Sequence, residues 1–223
     1  MATIAHPTEV RGAKLHLGCG SIVVDGWINI DNSPGVILAR APLVKRGLRR
    51  VGVLTQEQED AEFPAGIVRV DLRGGLPYTD GSADAIYSSH LIEHLARWQA
   101  LALLQDCARV LASGGVIRLA TPDLGGIVTD YVSGDTRYGP TPADSMMEQL
   151  LTFSEHRGTR MQRLVRRLVT APHQWLYDEV SLGALLREAG FSDPVRRDYR
   201  VGDLPDLERI EHRNEGLIVE ARR

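Results

Sequence analysis

The sequence predicts an α/β fold built on a mainly parallel sheet that ends in an antiparallel hairpin, with helices on both faces. Three observations predict it. First, five short apolar runs have the length and composition of buried parallel strands: Lys14–Leu17, Trp27–Ile30, Ile67–Val70, Ala85–Ser88 and Val116–Ala120. Second, the stretch from Gln99 to Leu111 places Leu103, Leu104, Cys107, Val110 and Leu111 on one helical face, between the fourth and fifth runs. Third, two terminal runs, Val195–Val201 and Leu217–Arg222, follow one another with no intervening helix, so they should pair antiparallel.

Strand–helix–strand alternation with seven strands gives a Rossmann-like sheet. Gly114-Gly115 is expected to end the Gln99–Leu111 helix and turn into the fifth strand. The segment Ser181–Gly190 reads as a helix with a serine N-cap and a glycine stop. Two stretches stand outside the alternation. Residues 36–64 carry Lys45, Arg46, Arg49 and Arg50, then Glu57, Glu59, Asp60 and Glu62. Residues 124–180 form a long insertion after the fifth strand, with an apolar face at Met161, Leu164, Val165 and Leu168 and arginines at 160, 163 and 167. The expected organisation is one domain over residues 1–223, with an inserted helical lid or cap at about 124–180.

Composition narrows the function. A chain of 223 residues with 43% hydrophobic residues can bury a real core. A net charge of −3 gives no electrostatic case for a nucleic-acid partner. The N-terminus lacks an apolar stretch of signal-peptide length, and no run of about eighteen apolar residues exists, so no membrane span and a cytoplasmic location are expected. Cys19 and Cys107 are far apart and form no CxxC pair, which argues against a disulfide framework or a thiolate zinc cluster. Oligomeric state is left open.

The chemistry-bearing residues fall at strand ends. Leu17-Gly18-Cys19-Gly20 runs from the first strand into Gly-x-Gly, where glycine permits positive φ and close approach of a ligand. Strand two ends in Asp31-Asn32, and strand three in Asp71-Leu72. On the ligand side of an open α/β sheet, one carboxylate can accept from ribose hydroxyls and the other from an adenine amino group. A nicotinamide-dependent oxidoreductase would need G-x-G-x-x-G and a first helix; the loop from Gly18 to Val23 reads G-C-G-S-I-V, without the third glycine, and only ten residues separate Gly20 from Asp31. The segment Ser88-Ser89-His90-Leu91-Ile92-Glu93-His94 contains H-x-x-E-H, a zinc-peptidase pattern. That reading needs a further ligand downstream; Glu155 and Glu179 are the nominees, and nothing in the sequence marks either. No metal site is expected.

With these residues in view, the sequence resembles the class I S-adenosylmethionine-dependent methyltransferases. LHLGCG resembles the family's glycine loop and GWINID its ribose-binding acid at Asp31. VDLRGGLPYTDGSADAIYSSHLIEHL resembles strands three and four, ARVLASGGVIRLATPD the helix and fifth strand, and HQWLYDEVSLGALLREAGF the last helix. The LGCG…GWINID and HLIEHL patterns resemble those of a bacterial group associated with glycan and secondary-metabolite pathways. The family often carries an acidic residue where His16 stands.

The resemblance implies S-adenosyl-L-methionine as cofactor, S-adenosyl-L-homocysteine as product, and a small-molecule methyl acceptor. A sugar, glycan or secondary-metabolite hydroxyl is the expected acceptor. It implies cofactor contacts at Leu17, Gly18, Cys19, Gly20, Asp31, Asn32, Asp71, Leu72, Ser88, Ser89 and His90. Transfer to a hydroxyl benefits from a general base, and His90 and then Asp123 are the candidates, with His94, His156, His173 and Tyr177 behind them. A non-catalytic module that keeps the fold but binds a partner is the remaining alternative.

Overall fold

A computed structural model describes residues 11–39, 41–50, 52, 64, 66–150 and 172–223. Within them the strands are β1 (Ala13–Leu17), β2 (Ile28–Ile30), β3 (Ala83–Ser89), β4 (Leu111–Thr121), β5 (Ser192–Arg196) and β6 (Leu217–Arg222). The α-helices are α1 (Pro34–Ala39), α2 (Pro42–Arg50), α3 (Arg97–Val110), α4 (Leu124–Ser133), α5 (Pro142–Leu150), α6 (Glu179–Glu188) and α7 (Leu207–Ile210). The sheet order is β2-β1-β3-β4-β6-β5. The first four strands are parallel and β6 is antiparallel to both of its neighbours.

Among the described residues the sheet therefore has six strands, where the sequence predicts seven. The missing one is Ile67–Val70, reduced to a single parallel bridge between Val68 and Ile30. Val68 lies outside β2 and is 41% exposed. Ile67 beside it is buried in a cluster with Cys19 and Val36, but the ladder stops at this single pair. Three further expectations are corrected. Helix α3 stops at Val110 and passes directly into β4, so Gly114-Gly115 lies inside the strand, where Ala83 pairs Leu111 and Ala85 pairs Val116 across a bulge. The cap of α6 is Asp178, which accepts from the Ser181 N–H at 2.8 Å while Ser181 Oγ bonds back to the Asp178 N–H. The connection between β5 and β6 contains the short helix α7, and β5 ends at Arg196 instead of Val201.

Alternation along the strands builds two apolar layers. Leu15, Leu17, Ile86, Ile117 and Leu119 face the layer formed by Leu103, Leu104 and Cys107 of α3 and Leu182, Leu185 and Leu186 of α6. Ala85, Tyr87 and Val116 face the opposite layer, covered by Trp27, Leu204, Leu207 and Ile210. Of the region expected to form a lid, α4 and α5 are helical; residues 151–171, including the Met161–Leu168 face, Glu155 and His156, lie outside the described residues. So does the acidic run at residues 57–62. No helix among the described residues is long and apolar enough to cross a membrane.

Candidate functional site

Strand register brings distant residues into one row. Leu17 pairs with Ile30 on one side and Ser88 on the other, while Ser88 and Ser89 pair with Leu119 and Ala120. The residues immediately beyond those pairs are Gly18, Asp31, His90 and Thr121. All four therefore stand along the C-terminal edge of the parallel strands, where ligands bind in open α/β sheets.

The glycine loop and the acid after β2 are physically joined. Gly18 and Gly20 have φ of +68° and +56°, which side-chain-bearing residues rarely adopt. The Gly18 and Cys19 N–H groups donate to the Ile30 carbonyl, and the Gly20 N–H donates to Asp31 Oδ2 at 2.8 Å. Asp31 Oδ1 accepts from the Ser33 N–H at 2.5 Å. Each carboxylate oxygen keeps a lone pair for a ligand hydroxyl. A β-carbon on Gly18 would lie 3.2 Å from Leu91 Cβ, so the loop packs directly on the segment after β3. A β-carbon on Gly20 would meet nothing within 4 Å, which leaves open space beside the loop. Residues 18–27 form turns and no helix.

The other residues assigned to the cofactor take varied positions. Leu17 is buried in the core, and the Cys19 thiol is pushed up to about 12 by burial, so it is no nucleophile. Asn32 accepts from the Arg69 guanidinium. Asp71 caps a short 3₁₀ turn at Leu72–Gly74 and is held by Arg73 through two bonds of 2.9 Å. That guanidinium keeps the Asp71 carboxyl below its ordinary range. An adenine amino group would have to share or displace Arg73. Leu72 is buried beneath this turn.

The segment after β3 is unusual. His90 has a φ of +52°, a left-handed conformation that a non-glycine residue adopts at a cost. Its N–H donates to the Ala120 carbonyl, which anchors it beside β4. Its Nδ1 lies 3.0 Å from Glu93 Oε1, and the Glu93 side chain is fully buried. The approach is close, but Glu93 Oε1 has no donor aligned on it. Ser88 Oγ and Tyr177 Oη are likewise buried and unpaired near this edge. Thr121 Oγ1 donates to Glu93 Oε2 at 3.4 Å.

Asp123 is structurally committed. It caps α4 by accepting from the Gly126 N–H and pairs with Arg196 at 2.9 Å. It lines an open groove with Gly126, Asp130, Asp178 and Arg196 that contains no predicted cofactor residue. His90 thus touches the row of strand ends, whereas Asp123 serves the fold beside it.

Two contacts escaped the sequence reading. Glu93 is the buried partner of His90, and its i, i+3 spacing was the available signal. His173 lies against His94 with ring centroids 5.0 Å apart and ring planes tilted by 57°, and no sequence spacing connects those two.

Residues 15–119 match a family model described as "Methyltransferase domain". A protein of Mycolicibacterium smegmatis, described as "Probable S-adenosylmethionine-dependent methyltransferase", is 38% identical over 88 residues, which is 37% of this chain and 34% of that protein. The match thus spans about a third of that curated relative's length. An S-adenosylmethionine-dependent methyltransferase structure from Mesorhizobium loti is 22% identical, covers 97% of this chain and 93% of its own, and has a TM-score of 0.49. A structure titled "PigF with SAH" is 14% identical, covers 95% and 50%, and scores 0.44. Both scores are low, and the fold assignment rests on the strand order itself. The stretch from residue 15 to residue 119, which holds the glycine turn tied to the acid after β2, is thus similar to methyltransferase domains.

Proposed function

We propose that the protein binds S-adenosyl-L-methionine at the Gly18–Gly20 turn and Asp31 and transfers its methyl group to a hydroxyl of a small-molecule acceptor. The observation that carries this reading is the 2.8 Å bond from the Gly20 N–H to Asp31. It locks a backbone turn and a carboxylate together at the ends of adjacent parallel strands, where ligands bind in open α/β sheets. The turn that replaces a first helix leaves no helix N-terminus for a pyrophosphate, which disfavours a dinucleotide.

The sulfonium activates its own methyl group, so the protein's task is alignment and exclusion of water. The acceptor would lie over the ends of β3 and β4, where His90 stands. His90 would take the hydroxyl proton as the oxygen–methyl bond forms and the sulfur–methyl bond breaks. A sugar or secondary-metabolite hydroxyl is the acceptor class this reading favours, and the helices after β4 would cover it as a lid.

Calorimetry with S-adenosyl-L-homocysteine tests the proposal. The wild-type chain should bind it, and Asp31→Ala should weaken binding roughly 10- to 150-fold, the loss of charge-assisted hydrogen bonds of about 1.5–3 kcal/mol. A chain that ignores this ligand and binds NADH would refute the reading.

A further inference from the structure

We propose that Glu93, His94 and His173 form a binding site for a divalent transition-metal ion, next to His90. One ligand atom from each of the three residues can be chosen so that all lie within 4.8 Å of one another. Donors around a tetrahedral zinc ion sit roughly 3.3 Å apart, so the widest pair has about 1.5 Å to close.

The surroundings are those of a built site. Glu93 is fully buried, and its Oε1 has no aligned donor. A buried carboxylate oxygen with no aligned donor is costly, and a cation is one of the few partners that relieve it. Both imidazoles are oriented through the nitrogen they would not use on the metal. His173 Nδ1 lies 2.9 Å from the Leu150 carbonyl, and His94 Nδ1 lies 3.3 Å from the Pro172 carbonyl. If those nitrogens carry the protons, Nε2 of each ring is left as an acceptor for a metal, the usual arrangement of metal-bound histidines.

The backbone holds the two halves together. The N–H groups of Gln174 and Trp175 both donate to the Glu93 carbonyl, and Gln174 Nε2 donates to the His94 carbonyl at 2.7 Å. The strap carrying His173 is thereby fastened to the turn carrying Glu93 and His94. Two imidazoles and one carboxylate suit zinc, with cobalt(II), iron(II) and nickel(II) as chemical relatives, and suit magnesium and calcium poorly.

The ligand set differs from the one that the H-x-x-E-H pattern suggests. In that pattern both histidines bind and the glutamate acts as base. Here Glu93 and His94 bind with His173 from a distant segment, while His90 contacts Glu93. Three protein ligands leave a coordination position open. That position would hold an acceptor oxygen and lower the pKa of its hydroxyl, easing proton loss to His90. This last role rests on the methyl-transfer reading; ion binding does not.

The test is zinc titration of the metal-free full-length chain, with S-adenosyl-L-homocysteine titrated in parallel. The wild type should take up one zinc ion per chain. His94→Ala and His173→Ala should each weaken zinc about 100-fold or more and leave the nucleoside ligand unaffected. Cobalt(II) bound to the wild type gives a readout that needs no variant, since four- or five-coordinate nitrogen–oxygen ligation produces strong visible bands. A wild type that binds neither zinc nor cobalt overturns the site. So does binding that survives both substitutions, or a cobalt spectrum of a six-coordinate aquo ion. Loss of homocysteine-ligand binding with zinc uptake intact would sink the methyl-transfer reading and leave the metal site standing.

Discussion

Arg118→Met should cost the protein about 3–5 kcal/mol of stability, the penalty for breaking a buried ion pair by removing one partner. Arg118 lies in the middle of β4 and is fully buried. All five guanidinium N–H groups have acceptors. Nε and Nη2 each donate to Glu211 at 2.8 Å, and Nη1 donates to Glu220 at 2.8 Å. Nη1 and Nη2 also reach the Val201 and Asp198 carbonyls. Glu220 is the direct cross-strand partner of Arg118 on β6, and Glu211 closes the network from the end of α7. Methionine would leave Glu211 and Glu220 buried without their main cation. The same space excludes a side chain at Gly202, where a β-carbon would collide with Glu220 and Arg118. Urea unfolding should show the loss as a lower midpoint with an unchanged slope. A loss below about 1 kcal/mol would mean that the network contributes little.

Lowering the pH from 7 towards 4 should destabilise the wild type by about 3 kcal/mol through His16 alone. His16 is 2% exposed, packs on Tyr87 and sits 3.3 Å from Asn29 Oδ1. Burial lowers its pKa from 6.5 to about 4, against the opposing pull of the Asn29 hydrogen bond and the Asp31 charge. The folded state therefore keeps His16 neutral in a range where the unfolded chain binds a proton. Above pH 6.5 both states are neutral and the group contributes nothing to the pH dependence. Between 6.5 and about 4 the unfolded state binds more protons, so stability falls as pH falls. The window spans two and a half units at about 1.4 kcal/mol each. Comparing wild type with His16→Gln at pH 7 and pH 4.5 isolates this share from that of the carboxylates. Parallel stability profiles for the two proteins would remove His16 as the cause.

His16 is a buried ring in the polar row around Asn29. Asn29 in turn binds the Val24 N–H and the Val24 and Trp27 carbonyls, which fixes the turn that replaces a first helix.

Much of the architecture was legible because it follows from periodicity and composition. The apolar runs at Lys14–Leu17, Ala85–Ser88 and Val116–Ala120 became strands because burial on both faces demands continuous apolar residues. The terminal antiparallel pairing was expected from two runs with no helical pattern between them, and it holds although the connection contains the single-turn α7. Errors came where local signals compete with packing. Ile67–Val70 has strand composition but pairs with the edge strand β2 at one position, and Gly114-Gly115 looks like a helix stop yet sits in a strand bulge. Ser181 looks like a cap, but Asp178 offers a charged acceptor one turn earlier.

The sequence by itself determined the sheet's main strands, the glycine turn and the acid at Asp31, since each depends on neighbours a few residues away. Only the tertiary structure decided what the polar residues do. Asp123 became a helix cap tied to Arg196, and Arg118 became the centre of a buried charge network. The meeting of Glu93 and His94 with His173, about eighty positions away, was invisible for the same reason. Such meetings depend on long-range closure of the chain, which no local pattern of side chains encodes.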